Sequence, residues 1–347
     1  MNTTISRALG SMPPPPRRTA NPAPVRTSGS VRRTSSVDVS WPDGLDGERL
    51  FVGAARDLWT PVAGDGLVLS QGRFEARLTA DKTITAIVAE PASPGIAALV
   101  GARAGGHLRM LLREVMPEIA SGAHPLYLAL DDLSGSALVS TFASAQWLAA
   151  ERRSCERESE RTPPTRVTTP PADVCWGLQA GSSGVTGNLD TGDIADADAG
   201  DVRNPLDAMG WHAFFEPTGT GFRRARRIDV TWDETVGVIR IDSAFQDSAA
   251  RRDGSRLAIH EYLLRATADI TTLEVLSIAP EARVLPFPEC PGAMANVQRL
   301  VGRNLAEIRE EVLAQLRGPE GCTHLNDALR ALADVPKLMD RIAASPE

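Results

Sequence analysis

The chain has 347 residues, a length that suggests about two domains, with 42% hydrophobic residues, 23% charged residues and a net charge of −7. No apolar run approaches the ~20 residues of a membrane helix, and Met1 to Pro16 lack the apolar core of a signal peptide, so the expectation is a cytoplasmic chain with no membrane partner. Only Lys82 and Lys337 are lysines, and the acidic balance lacks the basic footprint of a nucleic-acid binder.

Residues 1–30 hold Pro13 to Pro16, Pro22 and Pro24 with little apolar surface to offset the entropy of ordering, which predicts a disordered tail. Residues 31–150 read as a first folded unit and 222–347 as a second. Between them, 151–221 has the composition of a flexible acidic linker: Pro163-Pro164, Pro170-Pro171, then Asp190, Asp193, Asp196, Asp198 and Asp201. Asp196-x-Asp198 lacks the glycine and bidentate glutamate of a calcium loop. Cys175-Trp176 and Trp211-His212 would anchor this linker to a domain surface or reach over a site as a lid.

The two units repeat each other. Arg32 to Trp41 aligns without gaps on Arg223 to Trp232, and Arg77-x-Thr79-Ala80-Asp81 matches Arg265-x-Thr267-Ala268-Asp269. Pro94-Gly95 followed by Leu99-Val100-Gly101 matches Pro291-Gly292 followed by Leu300-Val301-Gly302. Three anchors in one order imply an internal duplication. Each repeat opens with strands: Val37, Val39 and Trp41 alternate, as do Ile228, Val230 and Trp232. Val238 to Phe245, Arg256 to Ala268 and Thr272 to Ile278 supply three more in the second repeat. The apolar stripe Val297, Leu300, Val301, Leu305, Ile308, Val312 predicts a long helix from Pro291 to Arg317, stopped by Gly318-Pro319, with a shorter helix from Thr323. The first repeat has its helix from about Gly95 to Ile119. The fold class is therefore α+β: two similar repeats, each an antiparallel sheet covered by C-terminal helices.

The second repeat carries Arg224 to Ile228, Ile259-His260-Glu261, Cys290-Pro291 and, after a Gly-Pro-Glu turn, Gly321-Cys322-Thr323-His324-Leu325. On these residues it resembles a bacterial family known as a domain of unknown function, DUF2889, over about residues 222 to 335. The first repeat resembles the more divergent N-terminal half of longer members, and departs from the pattern with Gly72 opposite His260 and Ser93 opposite Cys290. The resemblance implies no reaction.

Reactive residue types gather only in the second repeat: His260, Cys290, Cys322 and His324, with Glu261 beside them. Four cysteines without a C-x-x-C pair fit a reducing compartment. Cys322 just before a helix would gain thiolate character from free backbone N–H groups, with His324 as proton acceptor. Two cysteines and two histidines also make a zinc set, and buried cysteine is equally at home in a core. A straight helix from Pro291 to Arg317 would hold Cys322 far from Cys290, so convergence of all four needs a break, for which Gly302 is the place. The favoured reading is a metal-free local pair of Cys322 and His324, with no cofactor, since phosphate- and dinucleotide-binding glycine motifs are absent. Two function classes follow. One is an enzyme acting on a small organic molecule; the other is a non-catalytic ligand-binding or assembly module. Convergence of the four residues beside an open pocket favours the first, and burial in core the second.

Overall fold

Alternating side chains in eight segments pair into one antiparallel sheet, in a computed structural model that describes residues 22–155, 172–186 and 197–343. The first half contributes β1 (Ser30–Ser40), β2 (Arg49–Thr60), β3 (Leu67–Leu78) and β4 (Ile84–Glu90). A 3-10 turn at Ile96–Leu99, α1 (Leu108–Val115), α2 (Pro117–Ser121) and α3 (Pro125–Cys155) follow. After α4 (Ser183–Thr186), the second half adds β5 (Gly221–Asp233), β6 (Val238–Ala250), β7 (Arg256–Asp269) and β8 (Val275–Val284). It ends with 3-10 segments at Cys290–Leu300 and Leu305–Glu307, then α5 (Ile308–Gln315), α6 (Thr323–Arg330) and α7 (Val335–Ala343).

The strand order is β4-β3-β2-β1-β5-β6-β7-β8, two meanders joined by antiparallel pairing of β1 with β5. The expected two units therefore share one sheet. Exchanging the halves preserves the seam: Arg32 lies opposite Asp229, and Arg223 opposite Asp38. Both ion pairs form, from Arg32 Nε to Asp229 at 2.5 Å and from Arg223 Nε to Asp38 at 2.6 Å. Each meander also carries a bulge after the same aspartate, Asp57 in β2 and Asp247 in β6. Trp41 follows the end of β1 directly and Trp232 lies on β5, the equivalent strand.

Register corrects two details of the sequence alignment. Asp57 faces Ser70 and Asp247 faces His260, so Ser70, not Gly72, stands opposite His260. Asp81 lies one residue before the positive-φ Lys82, whereas Asp269 lies four before its counterpart Leu273, so these two aspartates are not equivalent. The turns absorbed the difference, where side-chain type is weakly constrained.

The predicted long helices are both broken. Residues 291–317 split into two 3-10 segments and α5, because Gly302 adopts φ +82° and gives its N–H to the edge strand at Val275. The stretch from Gly95 to Ile119 splits in the same way at Gly101, φ +86°. The longest helix, α3, was not read from the sequence. Its inner residues Leu126 to Leu133 are all buried, and it lies across strands of both halves.

One face of the sheet meets these helices. On the other, residues 197–221 and 22–29 lie across the seam, which is why every residue of β1 is buried. Ala23 and Trp211 pack on Ala225, and Arg26 clasps Asp207. His212 sits between the hydroxyls of Thr34 and Ser36, 2.8 Å from each. Much of the expected linker and the end of the expected tail thus pack on the sheet, since Trp211, His212 and Ala23 offer it surface that bulk composition conceals. Residues 1–21, 156–171 and 187–196 lie outside the described residues, and the readings of tail, linker and calcium loop there go with them.

Candidate functional site

Asp247 is fully buried in β6, and its carboxylate is gripped by Arg224 from β5, Nε to Oδ1 at 2.8 Å and Nη2 to Oδ2 at 2.9 Å. Arg224 also reaches Asp327 of α6 at 3.0 Å and Asp132 of α3 at 3.5 Å. α3 comes this close because residue 135 is glycine: a Cβ there would lie 2.1 Å from Arg224 Nη1. Around this point Arg226, Arg330 and Arg109 meet the same aspartates and Asp131 in a buried network. Arg309 joins through Asp131 at 3.6 Å and also holds Asp334 at 3.0 Å, and this pairing of opposite charges is what keeps ionised groups tenable away from water.

His260 stands directly across the ladder from Asp247, placed on the helix-covered face by the bulge beside it, with Nδ1 3.1 Å from Oδ2. His324, in the first turn of α6, stacks on it with centroids 3.5 Å apart and planes 19° from parallel. Its Nε2 is 3.9 Å from the same aspartate oxygen. Burial alone would raise the Asp247 carboxyl, but the Arg224 guanidinium and His260 hold it well below the carboxylate range. Burial, and then the His260 ring, push His324 well below its ordinary value, so its imidazole is neutral. With 15% of its side chain exposed, His324 opens the pair to solvent.

The first half has the same aspartate in different company. Arg33 forks onto Asp57 with Nε to Oδ1 at 2.6 Å and Nη2 to Oδ2 at 2.8 Å. There the second partner is Arg341 of α7, a permanent cation, where Asp247 has a histidine.

The structure thus brings His260 and His324 together and leaves Cys290 and Cys322 in the core beneath them. Gly302 does turn the chain back, and Cys175, Cys290 and Cys322 gather near Tyr262, whose hydroxyl donates to Cys322 Sγ at 3.3 Å. Burial raises all three thiols, Cys175 to about 11. At Cys322 the Tyr262 hydroxyl and helix-start N–H groups pull the other way without prevailing, which opposes the thiolate expected there. His324 Nδ1 turns to Thr323 Oγ1, at 3.4 Å. Cys175-Trp176 packs on the 3-10 segment beginning at Cys290, and Trp211-His212 lies on the opposite sheet face, so neither covers the histidines.

Sequence reasoning missed Asp247 and Arg224 as site residues. The signal was available: Arg33 and Asp57 are 24 residues apart, Arg224 and Asp247 are 23 apart, and both aspartates interrupt apolar strands. Among the described residues, Asp247, His260 and His324 form the group of potential ligands with atoms within 4.8 Å of one another, so these three, without the cysteines, are the set able to hold a metal. Its ligand types suit one, but two rings stacked in near-parallel planes cannot both direct an in-plane lone pair at one ion about 2.1 Å away.

Residues 222–337 match the family model described as Protein of unknown function (DUF2889). No curated protein and no solved structure matches the chain.

Proposed function

We propose that the half matching this family is the active half of an enzyme acting on a small organic molecule, with Asp247, His260 and His324 as its proton-transfer centre. The observation that carries this reading is the stacked histidine pair on a buried aspartate, present where the other half has Arg341. Asp247 accepts from His260 Nδ1–H, which fixes the tautomer and leaves Nε2 as a base; neutral His324 beside it accepts or relays the proton. Cys322 and Cys290 act here as core beneath the histidines, positioning α6 through Tyr262. Three buried cysteines without a disulfide support a reducing, cytoplasmic setting. The shared register supports origin of the halves by duplication, one keeping titratable chemistry and the other a permanent ion pair.

The test is hydrolysis of a panel of p-nitrophenyl esters and amides across pH 5 to 9. Turnover is expected, lost on His260→Ala and on His324→Ala while Cys322→Ser retains it. Turnover that survives both histidine changes would overturn the assignment.

A second reading is a non-catalytic ligand-binding or assembly module. The buried arginine–aspartate network across the seam favours it, because such a network holds two lobes rigidly. Full loss of folding in both histidine variants, with no turnover in the parent, would support that reading instead.

A further inference from the structure

A cavity of about 430 Å³ opens in the other half, lined by Lys82, Arg103, Gly105, Gly106, His107 and Leu108, among others. Comparison of the halves explains why it exists. Lys82 and Leu273 both take positive φ, 74° and 60°, and each accepts a backbone hydrogen bond, from Ala104 and Leu305 respectively. Ala104 therefore stands where the other half buries Leu305, and Lys82 where it has Leu273. One extra residue, in the pair Gly105-Gly106, then leads to His107, while the other half reaches Glu307 before its helix. A leucine is trimmed, a glycine is gained, and an apolar and an acidic position become basic. None of these changes is required by the fold, since the second half folds without them.

The charges here are also unlike those of the arginine–aspartate network. Among the described residues, no carboxylate ion pair is formed by Lys82, Arg103 or the buried Arg49 behind them. Arg49 is 3% exposed and bonds only to neutral oxygens of Ala137, Ser140 and Thr79, with Nε unpartnered. Arg103 spends its Nε on the Asp81 carbonyl, while the Asp81 carboxylate turns to Thr79 and Thr83. In a chain of net charge −7, this is a concentration of uncompensated positive charge around an opening. Burial and then the Arg49 and Arg103 cations lower Lys82. Gly105 and Gly106 line the cavity without side chains, and a Cβ at Gly106 would meet open space.

We propose that this cavity binds a small molecule through a phosphate monoester group, held by Lys82, Arg103 and His107, with the organic part in the space that Ala104 leaves. The volume is in the range of small-molecule sites. The site is separate from the histidine centre and does not depend on its assignment.

Isothermal titration of the full chain with glycerol phosphate, and with inorganic phosphate, at low salt tests it. Saturable one-to-one binding is expected, at least tenfold tighter for the monoester, and weakened at least tenfold in Lys82→Gln. Ala104→Leu, which installs the side chain used by the other half, should abolish monoester binding with its circular dichroism unchanged. No saturable binding of either phosphate, or equal affinity in the parent and Lys82→Gln proteins, would overturn the proposal.

Discussion

His324 lies face to face with His260, and both rings approach one oxygen of Asp247. Burial and then the His260 ring keep His324 neutral. His212 on the opposite face is likewise pushed down, to about 3, by burial and then by Arg56 and Arg223. A folded-state value below the unfolded one of 6.5 gives stability that is present above pH 6.5 and lost as pH falls toward the folded value. The urea midpoint is expected to be level from pH 8 to 7 and to drop between pH 6.5 and 5, with Asp38, which burial raises to about 6, acting in the opposite direction over that interval. His212→Gln should flatten that drop. An unchanged slope would show that His212 does not carry it.

Asp57→Asn removes a partner from Arg33, which has no exposed side-chain surface. Breaking a buried pair by deleting one charge costs about 3–5 kcal/mol, and Asp334, 2.6 Å from Arg33 Nη1, offsets part of that. The expected loss is about 3 kcal/mol by urea unfolding. A loss under about 1 kcal/mol would mean that Asp57 is dispensable to the pair.

Two glycines separate local strain from site disruption. At Gly302 a Cβ meets nothing within 4 Å, so Gly302→Ala carries only the left-handed backbone penalty of about 1 kcal/mol. Gly135→Ala instead drives a methyl into Arg224, an overpacking worth about 1–3 kcal/mol, and displaces the group that holds Asp247. Histidine Cε1 proton shifts should move for His260 in Gly135→Ala and stay fixed in Gly302→Ala.

Zinc provides another check on the imidazole pair. After dialysis against zinc and then buffer, elemental analysis is expected to find no stoichiometric metal, because the stacked rings cannot turn their lone pairs to one ion and the Arg224 fork occupies both Asp247 oxygens. One tightly held zinc per chain, lost on His324→Ala, would reverse that expectation.

Strand alternation made the meanders legible, and Gly302 was readable as the place where a helix would break. Pairing of β1 with β5 was not, because it joins residues almost two hundred apart and alternation marks a strand without naming its neighbour. His260 and His324 were visible as residue types, whereas their partner Asp247 resembled any strand aspartate until Arg224 lay beside it. The cavity at Lys82 was invisible for a related reason: it arises from a side chain that is small where its counterpart is large. Composition also misjudged residues 197–221, whose acidic start conceals Trp211 and His212.

The reciprocal pairs Arg32–Asp229 and Arg223–Asp38 give the seam the form of an isologous subunit contact written into one polypeptide. In a symmetric pair of identical subunits every substitution strikes twice. Here each side varies alone, and Asp57 has a second arginine where Asp247 has histidines. The same contact makes neither side self-sufficient. A fragment beginning at Gly221 would bare the whole of β5 and strip Arg226 of Asp132, leaving an exposed sheet edge and an uncompensated cation where the intact chain has neither.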